Sequence, residues 1–139
     1  MVPALLTTTL LFLAGLHLYW AAGGSWGKRF AIPEINGHPA FTPSPFITVA
    51  VALALLSAAC VAILRGYFLF SSFPGSPAHW AAIAIGFIFF LRAIGDFRLA
   101  GFFKRVQGTP FATWDTRLFS PLCLLIAFAF FSSRPRRAV

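Results

Sequence analysis

Acid is what this sequence has least of. Of its 139 residues only Glu34, Asp96 and Asp115 carry a carboxylate, against 11 Lys and Arg. Charged residues of either sign make up 10% of the chain, well below the roughly 25% of a soluble domain. Cysteine is as scarce. Cys60 and Cys123 stand alone, far apart in sequence, so they form no CxxC pair and read as small apolar packing residues. The sequence holds no serine–histidine–acid set and no metal-ligand spacing, and neither a metal nor another cofactor is expected. It lacks a myristoylation or lipobox pattern. The first apolar run has no basic segment before it and no convincing small-residue cleavage site after it, so it reads as a retained helix rather than a secretory signal.

Apolar sequence is abundant instead. Hydrophobic residues reach 59%, above the 45–50% or so of a soluble domain. They fall in four runs, at about 2–22, 45–65, 78–95 and 116–133. Each is close to the roughly 20 residues that span a bilayer core of about 30 Å. Inside hydrocarbon the backbone must satisfy its own hydrogen bonds, so such runs form helices. The expected fold is all-α: a four-helix transmembrane bundle with interfacial connectors, a single integral membrane domain over 1–139. The formal charge of +8 does not point to nucleic acid, because the basic residues sit at the ends of apolar runs. There they set orientation and meet lipid head groups, which makes membrane lipid the expected partner.

The punctuation between runs is specific. Gly23-Gly24 releases the first helix. Asn36-Gly37 is a two-residue hairpin signal, with Pro33 and Pro39 limiting its ladder. Ser44 can cap the second helix, with Pro45 at its first position. A short link rich in Ser, Pro and Gly follows the second run and makes the next two helices antiparallel neighbours. The stretch from Phe97 to Asp115 interleaves Arg98, Lys104 and Arg105 with Phe102, Phe103 and Phe111, as an amphipathic interfacial segment would. Thr113 or Asp115 can cap the fourth helix, and Pro121 would then lie near its first turn.

Several ordered motifs resemble a known family. His17-Leu18-Tyr19-Trp20-Ala21-Ala22-Gly23-Gly24-Ser25-Trp26-Gly27 is followed by Leu91-Arg92-Ala93-Ile94-Gly95-Asp96-Phe97-Arg98 and by Gly101-Phe102-Phe103-Lys104-Arg105. With Asp115-Thr116 and Ser120-Pro121-Leu122-Cys123, the chain resembles bacterial members of the domain of unknown function 3995 family along nearly its whole length. The resemblance implies a small four-helix membrane protein and implies no activity.

Four antiparallel spans place the first and third connectors on one membrane face. That face gathers all three carboxylates and His17, which lies about one turn inside the first span. The expected site is a polar interfacial pocket built by His17, Trp20, Gly24, Trp26, Arg92, Asp96 and Asp115, with Arg98, Lys104 and Arg105 meeting head groups. Trp20 and Gly24 share the face of His17, and the glycine would admit another helix or a ligand. Asp96 stands four residues after Arg92, where the two can pair. The pocket would bind a lipid-like or other amphipathic small molecule. Were the protein an enzyme, His17 or Asp96 would move protons. A haem sandwich is disfavoured, since His17 and His79 belong to opposite membrane faces, about 20 Å apart at 1.5 Å per residue. The competing reading is a non-catalytic accessory subunit of a larger membrane complex; beside lipid, the partners to expect are such a complex or, as a homo-oligomer, further copies of this chain. Seven basic residues flank the connector face against four on the other, which favours cytoplasmic connectors and external termini in a bacterial inner membrane.

Overall fold

The computed structural model of the chain describes residues 2–67 and 75–132. The middle of the link between the second and third runs, Arg134, Arg136 and Arg137, and the last residue expected of the fourth span lie outside the described residues. Helix α1 (Val2–Ala21) leads through a single helical turn, α2 (Lys28–Ala31), and a two-stranded hairpin, β1 (Glu34–Ile35) with β2 (His38–Pro39). Then come α3 (Pro45–Tyr67), α4 (Pro77–Ile94) and α5 (Pro110–Trp114). A π-helical turn, Asp115–Phe119, joins α5 to α6 (Ser120–Ser132) as one rod. Four stretches are long and apolar enough to cross a membrane: Pro3–Ala21, Pro45–Gly66, Pro77–Ile94 and Pro110–Ser132.

The local signals act as their chemistry dictates. Gly23, at φ 99°, closes α1: its N–H donates to the Trp20 carbonyl at 3.1 Å and the Gly24 N–H donates to the Tyr19 carbonyl at 2.9 Å. Those paired bonds occupy carbonyls that the helix end would otherwise leave bare. Asn36 and Gly37 both take positive φ, 53° and 79°, the backbone that a tight hairpin turn requires. Ser44 accepts from the Ile47 N–H at 3.3 Å and caps α3 ahead of Pro45. Ser76 does the same for α4, accepting from the His79 N–H at 3.2 Å.

The fourth span starts earlier than its apolar run. Neither Thr113 nor Asp115 caps it. Thr109 does, accepting from the Ala112 N–H at 3.0 Å, with Pro110 at the first position. Pro121 therefore lies in the interior of a 23-residue rod, not near its beginning. It has no N–H to offer the Arg117 carbonyl, and its ring would crowd that carbonyl in a regular α-helix. The turn just before it widens to π, with the Ser120 N–H reaching back to the Asp115 carbonyl.

Helix α1 runs chiefly along α3, and α4 chiefly along α6. One apolar cluster joins all four: Leu6, Leu10 and Ala14 from α1, Leu55, Ala58, Ala59 and Ala62 from α3, Ala82 from α4, and Ile126 and Phe130 from α6. The alanines of α3 let helix backbones approach closely, the usual basis of cohesion in lipid, where burial from water adds little. Large side chains such as Leu5, Phe46, Ile88 and Phe128 point outward instead. Leu10→Ala should lower stability by about 2–5 kcal/mol by opening a cavity in this cluster. Leu5→Ala, on the outer face, should change it by no more than about 0.5 kcal/mol. Unfolding of the two variants in mixed detergent micelles measures the contrast.

Candidate functional site

The site grows from the way α4 ends. Gly95, at φ 93°, stops the helix, and its N–H donates to the Leu91 carbonyl at 2.8 Å. The chain then folds into a tight loop around Asp96. One carboxylate oxygen, Oδ1, accepts the backbone N–H groups of Arg98, Leu99 and Ala100 at 3.0, 2.7 and 2.9 Å. Phe97 is held at φ 61°, a conformation a bulky side chain rarely adopts. At Gly101 the chain doubles back onto the helix end. A β-carbon there would collide with the Ile94 carbonyl and the Gly95 backbone, so only glycine fits. The Phe102 N–H then donates to the Ala93 carbonyl at 2.9 Å, covering a carbonyl at the end of α4.

This loop surrounds Asp115 with donors. Asp115 is wholly buried at the first residue of the π turn. Its Oδ2 accepts the Gly101 N–H at 2.7 Å and the Lys104 ammonium at 3.0 Å, and its Oδ1 accepts Arg92 Nη2 at 2.9 Å. Lys104 is itself buried. Its Nζ also donates to the Gly101 carbonyl at 2.9 Å and to Thr116 Oγ1 at 2.6 Å, while the Thr116 hydroxyl donates to the Ala112 carbonyl at 3.1 Å. Carboxylate and ammonium are both fully coordinated, as charges withdrawn from water must be. Two cations meet one anion, so the cluster keeps one positive charge in excess. Arg92 Nη1, in the cluster, and Ser120 Oγ, further along the same rod as Asp115, are enclosed without a hydrogen-bond partner. Ser120 follows Asp115 by one π turn.

The residues expected to form one pocket therefore separate. Arg92 and Asp115 meet. Asp96 does not pair with Arg92, because Gly95 ends the helix before the four-residue spacing is completed, and its carboxylate serves the loop instead. Lys104 does not face head groups, since Asp115 draws it inside. The Phe97–Asp115 stretch is a hydrogen-bonded loop followed by the first turn of a span, and not an amphipathic arm. Phe111 is buried against Phe119, ring centroids 6.4 Å apart, while Phe102 and Phe103 remain outward. Arg98 and Arg105 are exposed.

His17, Trp20, Gly24 and Trp26 form a group of their own. His17 Nδ1 donates to the Leu13 carbonyl at 2.8 Å, which fixes the proton on that nitrogen because a carbonyl can only accept. Its ring meets Trp20 edge-on at 5.1 Å. The Trp20 Nε1–H donates to the Trp26 carbonyl at 2.7 Å. The open side of Gly24 is filled by the ring of Tyr19, not by a second helix or a ligand. No hydrogen bond, ion pair or ring contact among the described residues joins this group to Asp115. The two connectors nevertheless touch, through Phe30 and Trp114 with ring centroids 5.8 Å apart.

Thr116 and Gly101 belong to the cluster and were not singled out by the sequence. Only the adjacency Asp115-Thr116 and the glycine preceding a basic pair hinted at them. Among the described residues no group of three or more His, Cys, Asp or Glu is placed to hold a metal. A family described as "Protein of unknown function (DUF3995)" matches residues 10–130. No curated protein and no solved structure matches the chain.

Two outcomes follow from the charges. Asp115→Asn leaves the buried Lys104 ammonium, and the half-buried Arg92 guanidinium beside it, with a neutral partner and should destabilise the protein by about 3–5 kcal/mol. Replacing Arg92, Lys104 and Asp115 together by Met, Met and Leu should recover most of that loss, because no charge then remains buried; thermal unfolding in detergent compares the two. At Asp96, slight burial raises the carboxyl's affinity for protons, but the N–H groups of Ala100, Leu99 and Arg98 outweigh it and hold its pKa below the ordinary 3.8. A lowered folded pKa means stability that is complete above 3.8 and lost as the pH falls through the lower folded value. In NMR spectra the Arg98, Leu99 and Ala100 amides should shift together over that acid range, and Asp96→Asn should abolish the transition.

Proposed function

Because the chain belongs to the DUF3995 family, whose description carries no activity, we propose its function from the ion cluster: a multi-pass membrane protein that holds the polar end of a lipid-like or other amphipathic molecule at Arg92. The observation that carries this reading is the enclosed, unpartnered Nη1 of a guanidinium whose other nitrogen is fixed on Asp115. Buried donors without partners are rare in folded proteins, and each one requires an explanation. Nη1 can only donate, so the fitting group presents an acceptor oxygen, such as that of a carbonyl or a phosphate. The excess positive charge of the cluster favours the same chemistry.

In this reading Asp115 and Lys104 are positioning residues. Asp115 holds Nη2 of the guanidinium at 2.9 Å and Lys104 holds Asp115, which leaves Nη1 for an acceptor that reaches it by displacing the side chains packed around it. The tail would lie against the outer surface of the bundle. A shallow apolar groove there is lined by Phe90 of α4 and by Leu124, Leu125, Ala127, Phe128 and Phe131 of α6. The membrane is the cell membrane of a bacterium, with cytoplasmic connectors and external termini, as the basic flanks favour.

The accessory-subunit reading draws on the outward apolar side chains of α3, α4 and α6, which a partner's helices could cover as acyl chains do. Purification in mild detergent separates the readings: a stoichiometric large partner supports the subunit, and a retained small molecule supports the site. Arg92→Lys keeps the ion pair but removes the second edge of the guanidinium. It should lower the retained molecule by about tenfold in native mass spectrometry, with little change in unfolding temperature. Equal retention by wild type and Arg92→Lys would remove the case for Arg92.

A further inference from the structure

With Lys104 drawn inside, the loop between α4 and α5 presents two arginines outward. The backbone holds them side by side, since the N–H groups of Arg105 and Val106 both donate to the Arg98 carbonyl, at 3.1 and 3.0 Å. Both side chains are exposed, and neither forms an ion pair with a described carboxylate. The acids close to them form no ion pair with either arginine. Asp96 accepts three backbone N–H groups through Oδ1, and Asp115 is buried under Arg92 and Lys104. Two guanidiniums against the single exposed carboxylate of Asp96 leave the pair with positive charge in excess.

Beside the arginines stand two phenylalanines. Phe97 and Phe103 meet with ring centroids 6.2 Å apart, yet they are 58% and 63% exposed. The positive φ of Phe97 shows that the loop holds this ring in place at a conformational cost. Two adjacent cations and two adjacent exposed rings, on a loop that begins where a membrane span ends, match the layering of a bilayer surface, with phosphate above and hydrocarbon below.

We propose that Arg98 and Arg105 clamp the phosphodiester of an anionic glycerophospholipid, with Phe97 and Phe103 seated among its upper acyl carbons. Guanidinium forks match phosphate oxygens bidentately, and two of them can hold one phosphate from both sides. A soluble phosphate would satisfy the arginines but leave the rings in water, so the lipid is the occupant that accounts for both. An anionic lipid is preferred to a zwitterionic one because its head group adds no cation to a site that already carries two. The clamp uses none of the residues assigned to the Arg92 site, and the two stand or fall separately.

The test uses the full chain in detergent, titrated with dioleoyl phosphatidylglycerol or dioleoyl phosphatidylcholine and read by native mass spectrometry. Phosphatidylglycerol should bind at least tenfold more tightly than phosphatidylcholine. The double variant Arg98→Gln, Arg105→Gln should lose that preference, and Phe103→Ser should weaken phosphatidylglycerol binding severalfold. Circular dichroism should be unchanged for these exposed positions. Arg92→Lys should keep the preference, which separates failure of the clamp from failure of the Arg92 site. Equal binding of the two lipids, or full preference in the double variant, would overturn the proposal. Displacement of phosphatidylglycerol by millimolar inorganic phosphate would also overturn it, by making the occupant a soluble anion.

Discussion

A carboxylate withdrawn from water at the end of a membrane span must be neutralised, and this requirement shapes the connector face. Asp115 is wholly buried, and its two oxygens take a backbone N–H, an ammonium and a guanidinium. Each donor arrives from a different place in the chain. Arg92 comes from the last turn of α4, Gly101 from the loop that reverses direction, and Lys104 from the strand of chain leading away. The path of the loop is fixed because those three groups must converge on two atoms. Withdrawing an ion costs several kcal/mol even after relaxation, so a partial set of donors would not serve.

The rest of the face follows from that convergence. A loop returning to the end of its own helix within seven residues needs glycines at Gly95 and Gly101, where other side chains would strike backbone. It also needs an internal organiser, which Asp96 supplies by gathering three consecutive N–H groups onto one oxygen. On the other side of the cluster, Pro121 and the π turn set the rotation of α5 relative to α6. One extra residue in a turn reorients everything before it by about 100°. Asp115 stands at the start of that turn, so the irregularity helps decide that it faces α4.

The spans were legible in the sequence because hydrocarbon imposes a requirement on composition that can be read residue by residue. Capping at Ser44, release at Gly23 and the turn at Asn36-Gly37 were legible for the same reason, as each depends on local chemistry alone. The partner of Arg92 was not. A four-residue spacing to Asp96 resembles a helical pair, but the pairing holds only while the helix continues, and Gly95 ends it. The contact with Asp115 crosses 23 positions, and no periodicity carries such information. Lys104 shows the same limit. Its place next to Arg105 suggested a common role at the head groups, whereas tertiary structure turns one inward and leaves the other outside. The start of the fourth span is not legible either, because in sequence Asp115 looks like the polar end of a connector. Within the fold, Asp115 is a buried residue of a helical rod.

The position of Arg92 has a consequence for how the chain is made. Synthesis proceeds from the N-terminus, so α4 is complete while Asp115, 23 residues later, has yet to emerge. During that interval the third span carries a guanidinium at its trailing end with no counter-ion. Release into lipid would then leave the charge to reach for water. Once the loop and the first turns of the last helix exist, the charge is closed within a hairpin that needs nothing from α1 or α3. The final two spans thus hold the Arg92–Asp115–Lys104 contacts entirely between themselves, while the first two helices meet them through the apolar cluster and the 3.0 Å hydrogen bond between Arg65 and His79.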